Sequence, residues 1–242
     1  MHNAFMDNIR RYDRLISLGL NCETSFILYK IYGGAESSLF QWATVPAANF
    51  IEVLGNLSLI YSGKIIDDPK TNMWKCAVTH INFHGVHTPQ ELLDEHGKRD
   101  SKKVRAELLN TKERIEYQCE KFLVIAKSAE TKLYVIGLYP GLCHRTNEGR
   151  VKFLQELFAA LRRMAKNASL LVFVEKSMQT DEIMALDNDT DFFIRILDHF
   201  APYDKATSAL HVDLAGSAKI LQEFAPKKQQ INKSNLYKFE RK

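Results

Sequence analysis

Lys132-Leu133-Tyr134-Val135-Ile136-Gly137-Leu138 is an unbroken apolar run after its first residue, and Tyr139-Pro140-Gly141 ends it with a turn signal. The pattern returns at Ser169-Leu170-Leu171-Val172-Phe173-Val174-Glu175 and again from Phe192 to Leu197. Strands apolar at nearly every position are buried on both faces, as in a parallel sheet covered by helices. The segments between them supply those helices. Glu148 to Lys166 carries Val151, Leu154, Leu157, Phe158, Leu161 and Met164 at helical spacing. Asp181 to Leu186 reads as a short helix and Ala215 to Phe224 as a last one. The expected fold is α/β: three layers, with a mostly parallel central sheet flanked by helices.

Toward the N-terminus, Leu15 to Leu20 is another short apolar run and joins this sheet most naturally. Phe26, Ile27, Lys30 and Ile31 then continue with helical spacing, and Asn21 is suited to an N-cap. Cys22 therefore falls where a strand hands over to a helix, in its first turn. The positive end of the helix macrodipole lies there and favours thiolate, the nucleophilic form of cysteine. In open α/β sheets, sites form off the carboxyl ends of the strands. Cys22 lies at such an end, as do Tyr139 to His144, Glu175 to Ser177 and Asp198-His199.

Between these parts, Gly33-Gly34 is a breaker and Ser38 to Pro46 an aromatic loop. Ala47 to Leu57 has helical spacing. A small insertion of β-hairpin and helix is expected around 59–126. In it, Ile60-Tyr61-Ser62 and Lys75-Cys76-Ala77-Val78 read as short strands. His80, Asn82 and His84 would share one face of an extended chain, with His87 close behind. A metal site from Cys76, His80 and His84 lacks the sequence context of a zinc site. Past a break at Gly97, Ser101 to Ala126 reads as a long amphipathic helix. Val104, Leu108, Ile115, Cys119 and Phe122 face the core; Lys112, Glu113, Glu116 and Glu120 face away.

A chain of 242 residues, 45% hydrophobic and 26% charged, fits one α/β domain over 1–226 with a basic tail at 227–242. No apolar run approaches the ~18 residues of a membrane span, and residues 1–12 lack the apolar core of a signal peptide. The four cysteines are scattered without a CxxC pair. A reducing, cytoplasmic setting fits best, although delivery by a specialised bacterial secretion system would leave no mark in such a sequence. The net charge of +4 is mild, and basic residues are not interleaved with aromatics as in nucleic-acid binders. No dinucleotide or P-loop glycine motif and no GxSxG elbow is present. Asp187, Asp189 and Asp191 lack the glycine and distal Glu of an EF-hand. No metal or organic cofactor is called for.

Leu210-His211-Val212-Asp213-Leu214-Ala215-Gly216 resembles the last motif of SGNH-type hydrolases, where a His ahead of the final helix is the base. Ser208 stands in place of the usual Asp, and Ser17 to Cys22 in place of the usual Gly-Asp-Ser. A broader likeness covers about the first 140 residues and continues loosely to Val174. Ile16-Ser17-Leu18-Gly19-Leu20-Asn21-Cys22 is followed by a helix, then by Phe40-Gln41-Trp42 and Phe83-His84. A helix containing Glu113-Arg114-Ile115 precedes the strand Leu133 to Leu138. In this order the chain resembles a bacterial family labelled papain-like cysteine peptidase, a domain of unknown function that tends to read Pro-Phe-Asp-Trp where Phe40-Gln41-Trp42 stands. The resemblance implies a reaction class, thiol-dependent hydrolysis or acyl transfer, and no substrate; a protein, a peptide or an acylated small molecule suits that chemistry. Cys22 would be the nucleophile and His84 its base, with His87 and His211 as the next choices. Asn21 or the N–H groups of the following helix would hold the oxyanion, and Asn82 would orient the His. Gln41 departs from the family's Asp and leaves any role of that Asp to another group. Two other readings follow: an SGNH-like esterase or transferase on acylated carbohydrate using Cys22 and His211, and a non-catalytic binding module. In the latter, Phe40, Trp42, Tyr139 and the histidines line a groove.

Overall fold

A computed structural model of the protein describes residues 12–20, 22–32, 39–41, 43–68, 73–85, 90–141, 144–200 and 212–224. Asn21, Trp42, His87, His211 and the 227–242 tail lie outside the described residues. The strands are β1 (Arg14–Ser17), β2 (Ala43–Thr44), β3 (Ile65–Asp68), β4 (Met73–Cys76), β5 (Asn82–Phe83), β6 (Lys132–Leu138), β7 (Ala168–Glu175) and β8 (Phe192–Leu197). The helices are α1 (Glu23–Tyr32), α2 (Ala47–Gly55), α3 (Ser58–Tyr61), α4 (Ser101–Lys127), α5 (Asn147–Met164), α6 (Asp181–Met184) and α7 (Leu214–Gln222).

The apolar runs form one four-stranded parallel sheet in the order β1-β6-β7-β8. Every residue of β6 is buried, as expected of a strand covered on both faces. On one face α1 packs on β1 and β6 and against α7, which covers β8; on the other, α5 packs on β7 and against α2. Capping residues start the helices. Asp100 accepts from the N–H groups of Lys102 and Lys103 at 2.8 and 3.2 Å. Thr146 and Asp213 cap α5 and α7 in the same way, through the N–H groups of Gly149 and Gly216. Gly97, at φ +72°, makes the turn ahead of α4. Lys132 begins β6 fully buried, with its ammonium donating to the carbonyls of Ser128, Glu130 and Lys166. No helix among the described residues is long and apolar enough to cross a membrane.

The insertion forms a second, antiparallel sheet in the order β2-β5-β4-β3. Three expectations for this region need correction. Ile60-Tyr61-Ser62 is no strand, because Ser58–Tyr61 is helix α3, buried through Ile60 alone. A three-residue apolar run carries no usable periodicity, so packing against α4 decides it. The aromatic loop contains the short strand β2. His80 does not share the face of Asn82 and His84, since it sits at φ +57° in the turn between β4 and β5. Phe40 is fixed deep in the core, 5.1 Å from Phe50 of α2 and 5.4 Å from Phe122 of α4, and so does not line the groove of the binding-module reading.

Candidate active site

β1 ends at Ser17, earlier than the apolar run suggests. Leu18 still donates to Val135 O at 2.8 Å, which keeps the chain along β6. Leu20 O then accepts from Val45 N at 3.0 Å. This bond ties the carboxyl end of β1 to the small sheet, because Thr44 pairs with Asn82 across β2 and β5. The two segments therefore meet where Cys22 follows the first strand and His84 follows β5. Cys22 Sγ lies 3.7 Å from His84 Nε2, within hydrogen-bond reach for sulfur. Cys22 is 7% exposed, whereas His84 is exposed to solvent.

Cys22 is the N-cap of α1 and lies just outside its first turn. Its carbonyl accepts the first helical bond, from Phe26 N at 3.0 Å. The N–H groups of Glu23, Thr24 and Ser25 precede that bond and have no partner within the helix. Ser25 Oγ donates to Ser17 Oγ at 2.9 Å and holds the helix against β1.

The thiolate expectation fails here. Burial, and then the charge of Glu23, push the Cys22 thiol from its ordinary 9.0 up to about 12. That corresponds to about 4 kcal/mol against the thiolate. A helix N-terminus returns ~2 kcal/mol even in favourable buried geometry. Desolvation therefore wins, and Cys22 rests as a neutral thiol. Glu23, only 1% exposed, adds to this from the next position and accepts a hydrogen bond from Tyr139 Oη at 3.2 Å. Tyr139 thus belongs to the wall behind the thiol.

Cys119 is raised to about 12 as well, by burial and then by Glu116 and Glu120. In both thiols the folded state favours the protonated form. Their contribution to stability is intact below pH ~9 and is lost as pH rises toward 12. Each is expected to lose about 1.4 kcal/mol by pH 10. Urea denaturation at pH 8 and 10 should show Cys119→Ser losing about 1 kcal/mol less than wild type over that interval. An equal loss in the two proteins would contradict the assignment.

α4 brings residues that its sequence pattern conceals. Val104 and Leu108 pack half-buried against the core, but the fully buried positions in this half of the helix are Glu107, at 1% exposure, and Thr111, at 0%. With Arg114 they occupy one helical face. Arg114 Nη2 donates to the backbone carbonyl of His84. Burial draws the Arg114 guanidinium down from its ordinary range, and the charge of Glu107 opposes the fall. The Glu107 carboxylate and the Trp74 indole N–H converge on Gly85. A Cβ there would stand 2.7 Å from Glu107 Oε1 and 2.8 Å from Trp74 Nε1. Asn82 Oδ1 and Thr111 Oγ1 are buried without a hydrogen-bond partner.

Of the residues singled out from the sequence, the structure brings together Cys22 and His84, with Asn82 two residues away along β5. Gln41 is buried at 4% exposure, two residues ahead of β2. Among the described residues, no group of three His, Cys, Asp or Glu side chains could hold a metal ion. Glu23, Glu107 and Arg114 were not picked out as site residues. A carboxylate directly after a candidate nucleophile was the one available signal, and Glu107 looks like surface by pattern. Comparison with protein-family models, with curated proteins and with solved structures finds no match to this chain.

Proposed function

We propose that the protein is a thiol-dependent hydrolase or acyl transferase, with Cys22 as nucleophile and His84 as general base. The observation that carries this reading is the 3.7 Å approach of His84 Nε2 to Cys22 Sγ at the carboxyl edge of a parallel sheet. The high thiol pKa selects the mode of action. The thiol is protonated at rest, so its proton passes to an unprotonated Nε2 as sulfur attacks the substrate carbonyl. The tetrahedral oxyanion then collapses, the imidazolium returns the proton to the leaving group, and an S-acyl Cys22 remains. Water or another acceptor discharges it with His84 again taking a proton. The N–H groups at the start of α1 suit the oxyanion. Asn82 Oδ1, an acceptor with no partner, suits a donor from the substrate or from the imidazole. The substrate class is a peptide or protein, or an acylated small molecule.

p-Nitrophenyl acetate is expected to acetylate Cys22, seen by mass spectrometry of the peptide that contains it. Cys22→Ser should lose the adduct there, while Cys119→Ser retains it. Acetylation spread equally over Cys22, Cys76 and Cys119 would overturn the reading.

A second reading is a binding module of the same fold. The burial that keeps Cys22 protonated favours it, since inert structural thiols have that character. The same labelling separates the two, because a module leaves Cys22 unmodified.

A further inference from the structure

Resting on the Cys22–His84 reading, we propose that Arg114 and Glu107 of α4 are positioning residues that hold the His84–Gly85 backbone so that the imidazole faces Cys22. β5 is two residues long, and its pairing with β2 and with β4 stops at Phe83. His84 therefore lies beyond the ladder on both sides and needs another anchor. α4 supplies two. Arg114 Nη2 donates to the His84 carbonyl, and Glu107 with Trp74 fills the space against Gly85, where no side chain fits. The two helix residues are seven apart and so share one face.

The Glu107 carboxylate is 1% exposed, a burial that acidic side chains almost never show unless paired. Its charge acts on Arg114, whose guanidinium burial would otherwise disfavour further. Arginine suits this task because its donors lie in a rigid plane that fixes the direction of the bond to the carbonyl. His84 is thus approached from two sides, at its ring by Cys22 ahead of α1 and at its backbone by Arg114 of α4.

The test reads the coupling between thiol and imidazole directly. The His84 ring is followed by ¹⁵N NMR titration in wild type, Cys22→Ala, Arg114→Ala and the double variant. Cys22→Ala removes the S–H that faces Nε2; it should move the His84 midpoint in the wild-type background and leave it unmoved in the Arg114→Ala background. With p-nitrophenyl acetate, Arg114→Ala should lower kcat by about 10²-fold with little change in KM. Added guanidinium should restore part of the loss. Arg114→Lys keeps the charge without the fork, and decides the matter if the alanine variant fails to fold; it too should lose the coupling. Intact coupling and undiminished kcat in Arg114→Lys and in folded Arg114→Ala would overturn the positioning role. Failure of the thiol-enzyme reading looks different, because wild type itself would then not acylate Cys22, while the NMR cycle would still report on Arg114.

Discussion

His84→Ala is expected to slow acetylation of Cys22 by p-nitrophenyl acetate at pH 7 by about 10²–10⁴-fold, the range a positioned general base supplies. The size follows from the thiol. With a pKa of about 12, a fraction on the order of 10⁻⁵ of Cys22 is thiolate at pH 7. Attack by the pre-ionised form is then negligible, and removal of the base removes the reaction. Exogenous imidazole should return part of the rate in His84→Ala and add nothing in Cys22→Ser. The stability of His84→Ala should change little, since an exposed side chain makes a small contribution to folding. A rate within twofold of wild type would remove His84 from the chemistry.

Gly137→Val is expected to destabilise the fold by ~3 kcal/mol, at the upper end of overpacking costs. Gly137 lies in β6 opposite Phe173 of β7. A Cβ at this position would overlap the ring of Phe200, which is itself 1% exposed and packed 5.3 Å from Tyr139 and 6.4 Å from Phe173. Intrinsic strand propensity argues the other way, since valine is favoured over glycine in strands by up to ~1 kcal/mol. The sign of the change therefore separates the two effects. Displacing Phe200 also disturbs Tyr139, whose hydroxyl holds Glu23 beside Cys22, so loss of Cys22 acylation should accompany the loss of stability. A urea midpoint equal to or above that of wild type would contradict the packing argument.

The sheet was legible because its signal is strong and local. β6, β7 and β8 are apolar along most of their length, and β8 begins and ends where the pattern does, at Phe192 and Leu197. Of the small sheet, the hairpin of β3 and β4 was legible around Lys75-Cys76, but β2 and β5 were not, because they are two residues each and exist only through pairing. Cys22 and His84 could be named from residue type and place, but not their distance, which depends on Val45 bonding to Leu20 and Thr44 lying beside Asn82. The protonation of Cys22 was misjudged for a related reason. The helix N-terminus is visible in sequence, whereas burial to 7% and the enclosure of Glu23 arise only on folding. Glu107 and Thr111, which the sequence pattern did not single out, show the same gap: burial of a polar side chain arises only when tertiary packing closes over it.

The pH dependence of Cys22 acetylation tests the neutral-pair account most directly, compared with alkylation of the same thiol by iodoacetamide. Acetylation in wild type should rise through one ionisation in the range where histidines titrate and then level off. Iodoacetamide should modify Cys22 slowly at neutral pH, with a rate that climbs about tenfold per pH unit well past pH 9. Acetylation that merely follows thiolate formation toward pH 12, unchanged in His84→Ala, would contradict the account.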